Sequence, residues 1–402
     1  MRTKKDHYRM RLALIGVLTG LVLATAPASA QQTSASQDGL TTGGPRAPHL
    51  DRMLRQTSKP SLQNPSHDVR YRVLSIGVLP GRTNSVTSER GVNNLGHAAG
   101  YSYTPGQIFD TGQAFFWQNG HLTGLPPLSG YTGSFGFAIN DLDQVIGVAN
   151  RRDQSGHVRQ TAVLWDHGQP RDLGSLQPNS QSAAFDASIF GVVVGQNFSF
   201  DTLLTLPVVW YGGTAHQLPL LPGETQGAPI EINAFGEIVG SQWVDGVNEF
   251  PCIWYWNGTG YTAVNLGTAG GNFNQGLGIN NLGQAVGWTN FVGDEHGPGF
   301  VWDFVHGMQF LYQLPGDTDG LAFGINDLGE ILGLSVLATP DDFEVHSVIW
   351  QHGTPTDLET LVPPGTPPLT FGVSNVNNLG EISLDATDPD GNPIALLLVP
   401  TH

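Results

Sequence analysis

Ile325-Asn326-Asp327-Leu328-Gly329-Glu330-Ile331-Leu332-Gly333 decides the fold, because this nine-residue pattern occurs seven times along the 402-residue chain. The other copies begin at Val92, Ile139, Ala187, Ile232, Ile279 and Val376. The third has Ser188 where its sisters have Asn, and the seventh ends in Leu384 where the others end in Gly. Successive Asn (or Ser188) positions lie 47, 48, 45, 47, 46 and 51 residues apart. Self-similarity at such a period is the mark of a repeat architecture.

Working outward, an apolar run ending in Trp follows 21 to 25 residues after the Asn in the first six copies: Trp117, Trp165, Trp210, Trp254, Trp302 and Trp350. A turn such as Gln118-Asn119-Gly120 comes next, and a Leu-rich piece such as Asp172-Leu173-Gly174-Ser175-Leu176 closes the unit. Each module thus holds four short extended segments. Asn suits the first position of a type I turn because its side chain accepts from the backbone two residues on. Gly three residues later supplies the positive φ that lets the strand resume through a bulge. Four strands at a period near 47 is the arithmetic of a propeller blade. The fold expected is all-β: a seven-bladed β-propeller of four-stranded antiparallel blades over residues 71–402.

The seventh module lacks a fourth strand, since the chain ends soon after Pro393–Pro400. Upstream of the first module, Tyr71-Arg72-Val73-Leu74-Ser75-Ile76-Gly77-Val78-Leu79-Pro80-Gly81 has no partners of its own, and its ending resembles Leu218-Pro219-Leu220-Leu221-Pro222-Gly223. Residues 71–81 are therefore expected to complete the last blade and close the ring, which removes two unpaired strand edges.

The run Ile-Asn-Asp-x-Gly-x-Val-x-Gly, then Ala-Phe-x-Trp (nearest in Gln113-Ala114-Phe115-Phe116-Trp117), then Asp-Leu-Gly resembles the HAF family of extracellular repeat proteins over residues 71–400. The resemblance implies export and a repeated β architecture, and it implies no catalytic residues.

The N-terminus agrees with export. Arg2, Lys4, Lys5, Arg9 and Arg11 precede the apolar run Leu12–Ala26 and a small-x-small site, Ala28-Ser29-Ala30. This is the pattern of a signal peptide over residues 1–30, cut after Ala30. Residues 31–70, rich in Gln, Ser, Thr, Pro and Gly, read as a disordered leader. No later apolar run reaches membrane-spanning length, so the cleaved chain is expected to be extracellular or periplasmic, monomeric and without a membrane span.

Composition narrows function. The formal charge is −17, and residues 172–402 contain 15 Asp, 9 Glu and no Lys or Arg. Such a surface does not bind nucleic acid and has no cations to clamp phosphate or carboxylate substrates. Cys252 is the one cysteine, in an apolar strand, and reads as a core residue. No nucleophile turn or zinc-binding His pair is present. Asp388-Pro389-Asp390-Gly391-Asn392 and Asp317-Thr318-Asp319-Gly320 have a faint calcium-loop character, but the first lacks the closing Glu and Pro-Asp-Gly already makes a good hairpin turn. No catalytic residue and no cofactor are assigned.

One pair of acids breaks the repeat. Two residues before each Asn the modules carry Gly91, Ala138, Asp186, Glu231, Gly278, Gly324 and Asn375. On the innermost strand these positions face the channel, so Asp186 and Glu231 are candidate channel ligands for a cation or a sugar hydroxyl. Two functions follow. The first is a secreted, non-catalytic binding module for a glycan or cell-surface protein. The second is an extracellular glycan-active hydrolase or lyase using the channel carboxylates.

Overall fold

A computed structural model describes residues 70–106, 108–244, 248–293, 296–338 and 343–401. The expected signal peptide and the leader up to residue 69 lie outside the described residues.

The turn chemistry explains the repeat. In the fifth module Gly283 N donates to Asn280 O (3.2 Å), and Asn280 N donates to Gln284 O (3.0 Å). Asn280 Oδ1 accepts from Leu282 N (3.1 Å) and Gln284 N (2.9 Å). Gly283 has φ 74°, a conformation that costs Gly nothing and other residues strain. The last Gly of the unit has a different cause. A Cβ on Gly287 would sit 1.8 Å from Gln275 O of the preceding strand. Here the innermost strand is bulged, with register shifting between Gly276 and Gly278, and the same shift recurs between Ala184 and Asp186 and between Pro229 and Glu231. A bulge bends a strand and re-aims its side chains, and a neighbour without a side chain gives it room.

The fold is a β-propeller of small antiparallel sheets. Strands β1 (Tyr71–Ser75), β2 (Asn84–Val92), β3 (Ala98–Tyr103), β4 (Gln113–Gln118) and β5 (His121–Gly124) come first. β6 (Gly133–Ile139), β7 (Val145–Arg152), β8 (Val158–Asp166) and β9 (Gln169–Asp172) belong to the second module. The third holds β10 (Ser180–Ala187), β11 (Val193–Ser199), β12 (Thr205–Tyr211) and β13 (Thr214–Gln217), and the fourth β14 (Gln226–Ile232), β15 (Ile238–Val244), β16 (Asn248–Trp256) and β17 (Tyr261–Asn265). β18 (Gly270–Ile279), β19 (Ala285–Phe291), β20 (Gly299–Asp303) and β21 (Gly307–Phe310) make the fifth, and β22 (Asp319–Ile325), β23 (Ile331–Ala338), β24 (Phe343–Gln351) and β25 (Thr354–Asp357) the sixth. β26 (Leu369–Val376), β27 (Ile382–Thr387) and β28 (Pro393–Pro400) end the chain.

Five sheets of four strands stand alone. The remaining strands, β2 to β9, form one eight-stranded sheet. The expectation of seven separate four-stranded blades is corrected there: a parallel bridge between Arg90 and Ala138 joins the innermost strands β2 and β6. Ala138, the bridged residue on β6, and Gly91, next to Arg90 on β2, are small. β1 lies antiparallel on β28, with Val73 opposite Leu398, as the outer strand of the order β1-β28-β27-β26.

The Trp residues that end the third strands fill the seams between modules. Trp165 packs with Ala99 and Ala114 of the preceding module, Trp254 with Val194 and Val209, and Trp350 with Val286. Each indole also donates across the seam: Trp165 to Pro126 O (2.7 Å), Trp254 to Pro219 O (2.7 Å) and Trp350 to Tyr312 O (2.6 Å). Replacing Trp254 by Phe keeps an aromatic ring in the seam but leaves the Pro219 carbonyl without its donor. We expect a loss of about 1–3 kcal/mol in denaturant unfolding; an unchanged midpoint and slope would show that the bond carries nothing.

Candidate binding face around the central mouth

The Asn turns do more than close their own hairpins. Asn93 Nδ2 donates to Asn140 O (2.9 Å), Asn140 to Ser188 O (3.4 Å), Asn233 to Asn280 O (3.0 Å) and Asn280 to Asn326 O (3.0 Å). Asn326 donates to Asn377 O (3.0 Å), and Asn377 of the last module to Asn93 O of the first (2.8 Å). The relay breaks at one step, where Ser188 cannot reach Asn233. A second circuit lies beside it. Asn94 donates from its backbone and side chain to the Asp141 carboxylate, Asn281 does the same to Asp327, and Asn378 N donates to Asn94 Oδ1. These amides and carboxylates line a polar mouth over the central channel.

Both acids singled out in the sequence line this cavity, brought there by bulged strands. Neither is free. Asp186 Oδ1 accepts from Ala187 N (2.8 Å) and Oδ2 from Ile232 N of the next module (3.0 Å). Glu231 Oε2 accepts from Ile279 N (2.9 Å), again one module on. Across the channel stands Arg90, 4% exposed, its Nε 2.9 Å from Glu231 Oε2. That contact is an ion pair by distance, since the Nε–H does not point at the carboxylate. The other end of the guanidinium donates to Leu277 O. Burial pushes both carboxyls above their usual range, each raises the other's cost of ionising, and Arg90 partly offsets this. One cation cannot fully neutralise two acids, so the trio retains protons more readily than free carboxylates do.

The sequence reading missed Arg90. The signal was present: three residues before each Asn the other modules have Phe137, Phe185, Ile230, Leu277, Phe323 and Ser374, so a cation at this position is the exception. It also missed the apolar crown. Two residues after each Asn (or Ser188) stand Leu95, Leu142, Phe190, Phe235, Leu282, Leu328 and Leu379, each between 55% and 76% exposed. They ring the mouth. Turns that follow the Trp strands add half-exposed Trp256, in edge contact with Tyr261, and Phe304. Large apolar side chains in one exposed array are unusual on a monomer and mark contact surfaces.

Other candidates from the sequence resolve into structure. Cys252 is buried, accepts from Gln242 Nε2 at 3.3 Å, and burial pushes its thiol up. Asp388 Oδ1 accepts from the amides of Asp390 (2.9 Å) and Asn392 (2.8 Å), so this loop is a capped turn. Asp317 and Asp319 engage His346 and His296. Among the described residues no group of three His, Cys, Asp or Glu side chains is placed to hold a metal, and no helix is long and apolar enough to cross a membrane.

No protein-family model and no curated protein matches the sequence. The fold is similar to TolB from Acinetobacter baumannii (14% identity over 76% of this chain and 80% of that one, TM-score 0.42). It is similar also to the β-propeller domain of the Trilobed protease from Pyrococcus furiosus (9% identity over 64% and 79%, TM-score 0.45). A puromycin-hydrolyzing peptidase from Mycobacterium tuberculosis matches at 13% identity and TM-score 0.48; the match covers 83% of this chain but only 53% of the peptidase. Likeness at this level concerns the fold alone.

The broken step in the relay yields a test. Ser188→Asn supplies a side-chain amide within the span of its six sisters, able to reach the Asn233 carbonyl. Stability should rise by about 0.5–1.5 kcal/mol, the net worth of a typical hydrogen bond, measured by chemical unfolding. A loss of stability would mean the third turn has a geometry that excludes the relay.

Proposed function

We propose that the chain is an exported, non-catalytic binding module. In this reading its seven modules form a seven-bladed ring, closed by β1 on β28, that presents the Asn-turn face to a glycan or a cell-surface protein. The observation that carries it is the crown: seven equivalent turn positions, all large and apolar, all exposed around a polar mouth. A turn tip gains nothing in stability from an exposed Leu or Phe, so the recurrence of such residues at one position favours contact with something outside the chain. The signal-peptide pattern and the family resemblance support export, and the Asn377 to Asn93 bond supports closure.

The glycan-active alternative has one observation in its favour, two carboxyls with raised proton affinity sharing a cavity. Against it, both oxygens of Asp186 and Oε2 of Glu231 already accept backbone amide hydrogens, and Oε2 of Glu231 also faces Arg90.

A glycan array and a panel of surface proteins, read for binding and by mass for cleavage products, separate the two. We expect a bound partner with no cleavage, and at least a tenfold loss of affinity in Leu282→Ser/Leu328→Ser with the melting temperature retained. Cleavage that disappears in Glu231→Gln, or binding untouched by the crown substitutions, would overturn the proposal.

A further inference from the structure

The crown face has a marked charge as well as an apolar ring. The turns that join first to second strands, and those that follow the Trp strands, lie at the same end of each sheet; Gln351 Nε2 of one donates to Glu330 Oε1 of the other (2.7 Å). These turns carry acids, among them Asp141, Glu237, Asp327, Glu330 and Glu381, and among the described residues they carry no Lys or Arg. His97 is drawn to Asp143 (2.8 Å). A fitting occupant is therefore both cationic and apolar.

The described chain begins at the rim of this face. Tyr71 pairs with Pro400, and Pro400 packs over Gly380 in the last Asn turn. Thr401 N donates to Arg70 O (2.8 Å), and the Arg70 guanidinium reaches Gln351 Oε1 at 3.5 Å. A short way upstream in sequence comes Gly44-Pro45-Arg46-Ala47-Pro48-His49-Leu50-Asp51-Arg52-Met53-Leu54-Arg55-Gln56-Thr57-Ser58-Lys59. It has four cations against one acid, interleaved with Leu50, Met53 and Leu54.

We propose that residues 44–59 dock on the crown of their own chain, apolar side chains among the Leu and Phe tips and cations over the mouth carboxylates. Length permits it. Arg55 precedes Arg70 by 15 residues, up to about 50 Å of chain. Four strands about 4.8 Å apart place the axis roughly 15–20 Å from the outer strand. Tethering favours it, because a short connection holds the segment at an effective concentration near the millimolar range. The inference rests on the reading of this face as a docking surface, and makes the segment a built-in competitor that an outside partner must displace.

Lys59 is the only lysine after Lys5, which gives a direct test. Zero-length carbodiimide coupling of the full chain, mapped by mass spectrometry, joins the Lys59 amine to any carboxylate it touches. We expect intramolecular products on Glu237, Asp327, Glu330 or Glu381. Their yield should fall about fivefold or more in 0.5 M salt, where the Debye length drops to roughly 4 Å, and in Leu328→Ser/Leu379→Ser. Equal coupling to Asp201 or Asp390 in the turns at the opposite end, coupling only to a second copy, or no coupling would overturn the inference. If crown substitutions abolish partner binding while Lys59 finds no crown acid, the docking face stands and the tethered occupant falls. If coupling appears and no partner binds, the reverse holds.

Discussion

One side chain does two jobs throughout this structure. The turn Asn accepts two backbone amides of its own hairpin through Oδ1 and hands its Nδ2–H to the carbonyl of the equivalent Asn one module on. The first job fixes a tight turn; the second fixes how far one module sits from the next. No other neutral side chain of this length offers an acceptor and donors on one planar group. Because the amide is buried at the mouth, an unmade bond there costs more than a surface bond is worth. The bulge before each turn and the side-chain-free Gly beside it belong to the same construction, since the innermost strand must bend for its turn to reach the neighbour.

Much of this fold was legible in the sequence because it repeats. Asn-x-x-Gly fixed the hairpins, the period gave four strands per module, and the unpartnered segment from Tyr71 found its place opposite β28. The Trp-ended apolar runs marked the third strands, and the structure sets Trp165, Trp254 and Trp350 in the seams between modules. The fusion of β2–β9 into one sheet was not legible, as it depends on one bridge whose geometry no propensity encodes. The relay was also hidden: its acceptors are backbone carbonyls, identical in every residue, so composition carries no trace of them.

The site divides in the same way. Asp186 and Glu231 stood out because charge replaced Gly or Ala, but it is the bulge before each, not simple alternation, that turns them into the cavity. Their partner Arg90 was missed, although the same comparison one position earlier sets a charge against Phe, Leu, Ile or Ser. The crown was in plain view, yet Leu and Phe read as core until a structure shows them outside. Buried charges near the channel are tied to backbone amides and to an arginine, while the apolar groups face out.

A closed ring requires β1 to be an integral part of the last sheet. Native-state hydrogen exchange of the Arg72 and Leu74 amides, which face β28 as Ile76 N does toward Ala395 O, compared with those of Leu396 and Leu398, tests this most directly. If the ring is one cooperative body, the amides of β1 that are bonded to β28 exchange with the same opening free energy as β27 and β28. Exchange of β1 orders of magnitude faster than that of β28, with the rest of the protein still protected, would show a strand that merely rests on the edge, and the closed ring would be wrong.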